Sequence, residues 1–188
     1  MDSPPSVILD EAGSPRVVWR GEIGGELFDN FDLAKTQAKT GFFFAENKGQ
    51  ADSYAARGTK ARAFHLHAER VLDLTDPYSP PNIDFIKAFA QEFDEWIDRV
   101  SGEEMDAFAF LEAGSLYDYE GTGHGNRWYQ LFRFASGEGF DAVRVIDATD
   151  GLVAPVWVVF EPDQIVKAEP PTPDAEAPAR RMSRTGPR

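Results

Sequence analysis

Asp147 stands where a carboxylate needs a reason. It ends the run Gly139-Phe140-Asp141-Ala142-Val143-Arg144-Val145-Ile146-Asp147, in which Val143 and Val145 mark the buried face of a strand. An Asp that continues such a face has either a partner or a chemical role; the plainer alternative is that it caps the next turn by accepting backbone hydrogen bonds. Asp150 precedes Gly151 and reads more simply as a turn residue. His65 and His67 are spaced to share one strand face, as a metal pair would, yet the sequence places no third ligand beside them, and surface strand positions account for both. His124 lies in Gly123-His124-Gly125, a loop residue able to touch a substrate. The chain has no cysteine, so disulfides, thiolate catalysis and zinc–thiolate sites are excluded together. Gly21, Gly24 and Gly25 make neither the dinucleotide fingerprint nor a Walker loop.

The elements that must position these residues follow from periodicity. Arg16-Val17-Val18-Trp19-Arg20-Gly21 reads as a first strand ended by glycine, and Thr40-Gly41-Phe42-Phe43-Phe44-Ala45 as a second extended run feeding a helix over 48–57, with Ala51, Tyr54 and Ala55 on one face. Residues 61–74 alternate with a period of two, as a half-buried strand does. Residues 82–100 carry Ile83, Ile86, Phe89, Ala90, Phe93, Ile97 and Val100 at helical spacing. Residues 102–125 read as a mobile connection or inserted subelement, and 128–135 as a helix. The Asp147 strand and a strand over 155–160 predict an antiparallel hairpin with Asp150-Gly151 in its turn. Strands and helices come in mixed order without βαβ alternation, which predicts an α+β fold.

At 188 residues, 42% hydrophobic and 13% aromatic, the chain suits one packed domain with tails. We expect a flexible lead over 1–15, a domain over 16–167 and a disordered Pro/Ala/Arg tail over 168–188. The net charge of −13 opposes direct binding to nucleic acid and suits solubility, a basic partner or mimicry of nucleic acid. No apolar stretch predicts a membrane span or signal peptide, so a cytoplasmic protein is expected.

Three separated segments, in the expected chain order, resemble the three-part motif of the ADP-ribosyltransferase-like superfamily. Trp19-Arg20-Gly21 resembles the strand-borne first motif. Gly41-Phe42-Phe43-Phe44-Ala45-Glu46 with Ala51-Asp52-Ser53-Tyr54 is similar to the family's Gly-x-Tyr-Phe-Ala-Asp run and the Ala-x-Tyr helix behind it. Val156-Trp157-Val158-Val159-Phe160-Glu161-Pro162-Asp163-Gln164-Ile165 is similar to the final strand and Gln-Ile ending of the poly-ADP-ribose-polymerase-like branch. The phage polyvalent-protein branch gives the nearest likeness, over residues 17–165.

The resemblance implies a split antiparallel sheet flanked by helices, with NAD as the substrate. Phe43 and Tyr54 would correspond to the two rings that hold nicotinamide, the Gly21 backbone would meet its carboxamide, and Arg20 would bridge pyrophosphate oxygens. Val156 stands where this branch carries its catalytic Glu, and valine cannot stabilise a cationic sugar-like transition state. Either a neighbouring acid, Asp147 or Asp150, supplies the carboxylate, or the protein binds without transferring. Some anti-CRISPR transferases look similar in carrying an Asp at the end of the penultimate strand. The implied function is transfer of ADP-ribose to a protein or other macromolecule by a phage or mobile-element effector in the host cytoplasm. The alternative is a catalytically degenerate member acting as an acidic protein-binding module or nucleic-acid mimic.

Overall fold

The computed structural model describes residues 6–21, 31–35, 40–55, 59–91, 106, 109–111, 127–149 and 152–169. Seven strands are described: β1 (Val18–Arg20), β2 (Phe42–Ala45), β3 (Arg62–Leu66), β4 (Val71–Asp73), β5 (Ala142–Thr149), β6 (Leu152–Val159) and β7 (Ile165–Lys167). They form one sheet in the order β4-β5-β6-β2-β1-β3-β7. All neighbours are antiparallel except β4 and β5, which the chain joins through a crossover long enough to bring β5 back parallel. The fold is α+β, with helices α1 (Lys48–Ser53), α2 (Pro80–Ala90) and α3 (Arg127–Gly137).

The sheet separates two apolar clusters. On the helical face Ala45, Val143, Val145, Val156 and Val158 pack with Ala51 of α1, Ile86 and Phe89 of α2, and Leu131, Phe132 and Ala135 of α3. On the opposite face Val18, Phe42, Phe44, Phe64, Leu66, Trp157 and Val159 pack with Phe31, Leu33 and Ile8. The period of two in Phe42-Phe43-Phe44-Ala45 divides these residues between the faces. Phe31 meets Phe42 and Phe64 edge-on, at centroid distances of 5.4 and 5.6 Å.

The β5–β6 hairpin is longer than the sequence suggests. It is paired from Ala142↔Val159 to Thr149↔Leu152, so Leu152, Val153 and Ala154, read as turn, belong to the strand. Pro155 is tolerated inside it because its carbonyl faces the end of β2, where it accepts from Glu46 N at 3.0 Å. Its missing N–H would point the same way, where β2 is finishing and little ladder remains to be lost.

Residues 61–74, read as one strand, form two on different sides of the sheet. β3 lies between β1 and β7, whereas β4 is the edge beyond β5. The break is held by Asp141, whose Oδ2 accepts from Glu69 N and Arg70 N at 2.8 Å each. Residues 6–9 lie beside the end of β3: Ile8 N donates to Leu66 O, Ala68 N donates to Ser6 O, and Val7 bridges His67. The long helix read over 82–100 starts earlier, at Pro80, with proline in its first turn as helices accept. Residues 92–100 lie outside the described residues, as do nearly all of 102–125, His124, Gly24 and Gly25, and the tail from 170 onward. No helix among the described residues is long and apolar enough to cross a membrane.

Candidate active site

The site begins with α1. Asn47 caps it, its Oδ1 accepting from Gln50 N at 3.2 Å, and Ala51 is buried in the cluster on the helical face of the sheet. Gly21 makes close seating possible. A methyl group at residue 21 would stand 1.9 Å from the Ala51 carbonyl oxygen and 2.9 Å from Ala55 N, so only glycine admits the helix backbone here. The backbone at Ala51 and Ala55 thus lies against Gly21 at the end of β1, while the side chains of Gln50 and Tyr54, one helical turn apart, reach Asp147 of β5.

There they meet Asp147. The Tyr54 hydroxyl donates to Asp147 Oδ2 at 3.2 Å, and Gln50 Nε2 donates to the same oxygen at 3.1 Å and to the Asp147 carbonyl at 3.3 Å. Asp147 continues the face of Val143 and Val145 and sits opposite Ala154. Tyr54 is 44% exposed, so the carboxylate lies beside a solvent-facing ring. Val156, opposite both Val145 and Ala45, is buried in the apolar cluster one row further into the sheet. The carboxylate of Asp147 is thus on the same face as the Val156 position, offset diagonally toward the hairpin tip, a separation of about 7–8 Å between Cα atoms in such pairs.

The other residues singled out by sequence are spread more widely. Phe43 is on the helical face but pairs with Val158, about 13 Å along the strand from Ala154, the partner of Asp147. Its half-buried ring meets Tyr129 and Phe132 of α3 edge-on, at 6.0 and 5.8 Å. Arg20 extends to the opposite face. Its guanidinium donates to the Phe43 carbonyl at 3.0 Å and lies over the rings of Phe44 and Phe31, at 5.5 and 5.9 Å. Asp150 lies outside the described residues. His65 Nδ1 is 2.9 Å from the Arg16 carbonyl, and among the described residues no group of three or more His, Asp or Glu side chains is placed to hold a metal.

Two polar centres were not read from the sequence. Gln50, wholly buried, belongs to the site; its spacing from Tyr54 was the available signal. Glu46 organises the opposite face: Oε1 accepts from Arg144 Nε at 2.9 Å and Trp157 Nε1 at 2.8 Å, and Oε2 pairs with Arg16 at 2.9 Å. Arg144 also reaches Asp73 at 3.1 Å. Burial works to lower the Arg144 pKa, but Glu46 and Asp73 outweigh it and hold the guanidinium above its ordinary value.

No curated protein matches the chain. The crystal structure of an anti-CRISPR protein aligns over 80% of this chain and 91% of its own, at 14% identity and a TM-score of 0.40. A family model described as "ADP-Ribosyltransferase in polyvalent proteins" matches residues 10–174, the segment that carries β1 with Gly21, the Tyr54 helix and the Asp147 hairpin, and the chain belongs to that family.

Proposed function

We propose that this protein transfers ADP-ribose from NAD to a group on a protein acceptor, with Asp147 as the catalytic carboxylate and Tyr54 as a ring against nicotinamide. In this reaction the bond from ribose C1′ to nicotinamide breaks and nicotinamide leaves with the electron pair. A lone pair of the acceptor forms the new bond to C1′, and the acceptor's proton passes through Asp147 to solvent. A carboxylate beside C1′ stabilises the positive charge that develops on the sugar.

The observation that carries the reading is the Tyr54–Asp147 contact, which sets an exposed aromatic ring and an acid side by side. NAD fits such a place chemically, since nicotinamide stacks on a ring face and the ribose beside it presents hydroxyls to a carboxylate. Arg20 does not have the surroundings expected of a pyrophosphate ligand on this face, because its guanidinium is engaged at Phe43 and over Phe44. A phage or mobile-element effector acting in the host cytoplasm is the setting we propose.

The apolar Val156 favours a second reading, a member that binds a basic protein partner without transfer. Incubation with labelled NAD and host lysate separates the two. Asp147→Asn keeps the shape of the side chain and should fold, bind NAD and lose transfer about a hundredfold or more. Transfer at the parent rate would remove Asp147 from the mechanism and direct attention to Asp150. Absence of labelling by the parent together with no rise in melting temperature at millimolar NAD would favour the binding reading.

A further inference from the structure

Gln50 is an unusual residue to bury completely. Its backbone is fixed on both sides, with its N–H donating to Asn47 Oδ1 at 3.2 Å and its carbonyl accepting from Ser53 Oγ at 2.7 Å. Its carboxamide oxygen, Oε1, is buried and makes no hydrogen bond among the described residues. An unpaired carbonyl in such a place is unfavourable. Leucine or methionine would fill the same space without it and would suit helix α1 equally well. What those residues lack is the pair of amide N–H groups. Both recorded contacts of Gln50 Nε2 go to one residue, the carbonyl of Asp147 at 3.3 Å and its Oδ2 at 3.1 Å.

We infer that Gln50 is a positioning residue for Asp147, fixing its carboxylate by donating simultaneously to its main chain and its side chain. Gripping both ends of the short Asp side chain restricts its rotation. Donation to Oδ2 also fixes the direction in which the carboxylate faces, as an acid preorganised toward a developing sugar cation requires. Tyr54 shares Oδ2 from the exposed side, so one face of the acid is held by a buried amide and the other by a ring able to respond to a ligand. The inference rests on the catalytic reading of Asp147 given above, but the contact has its own test.

Two measurements decide it. Gln50→Leu and Gln50→Met should fold, lower kcat for NAD turnover about tenfold or more and leave KM for NAD within about twofold, because the amide acts on the acid and not on the dinucleotide. Folded variants with parental kcat would overturn the inference. In the parent protein, NMR of the Gln50 side-chain amide should show one of its two protons shifting as acid protonates Asp147, and Asp147→Ala should abolish that shift. An amide insensitive to both would overturn the inference even if the leucine and methionine variants fail to fold. If the parent turns over no NAD while its amide protons still report Asp147, the transferase reading fails and the contact stands.

Discussion

The hydroxyl of Tyr54 donates to the carboxylate of Asp147 at 3.2 Å, joining the C-terminal end of α1 to β5. These residues lie 93 positions apart in the chain, and their contact marks where the proposed chemistry would take place. Since Tyr54 is 44% exposed, its ring contributes little to the core. Tyr54→Ala should shift the melting temperature by only a few degrees, in keeping with the loss of one solvent-facing hydrogen bond of about 0.5–1.5 kcal/mol. NAD affinity measured by calorimetry should fall about tenfold or more, while Tyr54→Phe retains most of it. A Tyr54→Ala protein that unfolds would make the residue part of the core instead.

Gly21 offers a sharper stability test. The place of its absent side chain is taken by the Ala51 carbonyl, so Gly21→Ala must push α1 off the sheet. Overpacking of this kind costs about 1–3 kcal/mol, and a melting temperature lower by several degrees is expected. Because α1 carries both Gln50 and Tyr54, NAD binding should weaken with it. An unchanged melting temperature would mean that α1 does not sit as closely as described.

Acid should loosen the β4 edge. Burial raises the Asp73 pKa, but Thr75, which donates through its hydroxyl and N–H, and Arg144 outweigh this and hold the carboxyl below its ordinary value. A depressed native pKa gives stability that is present above the unfolded value, about 3.9, and is lost as pH falls through the native value below it. The carboxyl is 47% exposed, so screening limits the effect to about 0.5–1 kcal/mol. Asp73→Asn should therefore be slightly less stable than the parent at pH 7, with the difference closing below about pH 4. Denaturant titrations at both pH values check this; a difference that persists at low pH would assign the effect to packing.

Much of this arrangement is legible in the sequence because it depends on local pattern. The buried face of Val143 and Val145 marks Asp147 as an acid needing a partner, a role or a turn to cap, and Gln50 and Tyr54 both donate to it. The period of two in β2 and the helical spacing of Ile86 and Phe89 located the core. What the sequence conceals is long-range placement. Residues 61–74 keep one alternating pattern through a break, because Asp141, far along the chain, supplies the acceptor that turns it. β7 was not read as a strand, since three residues that pair with β3 leave no periodic signature. Arg20 looked like a ligand for phosphate by type, and only the alternation of β1 against β2 shows that it crosses to the face of Phe44.

The register of β6 also bears on how the chain reaches this state. Its ladder with β5 is the longest in the sheet and joins neighbours in sequence across a two-residue connection, 150–151. Closing so short a loop costs little chain entropy, so this hairpin can form early and wait. Its other edge is taken by β2, where Phe42–Ala45 pair with Val156–Val159 across most of the domain. Zipping this distant segment onto a ready template is the step that topology makes slow. The Asp147 side chain is thus carried by the locally formed partner, and the helix that grips it arrives with the late one.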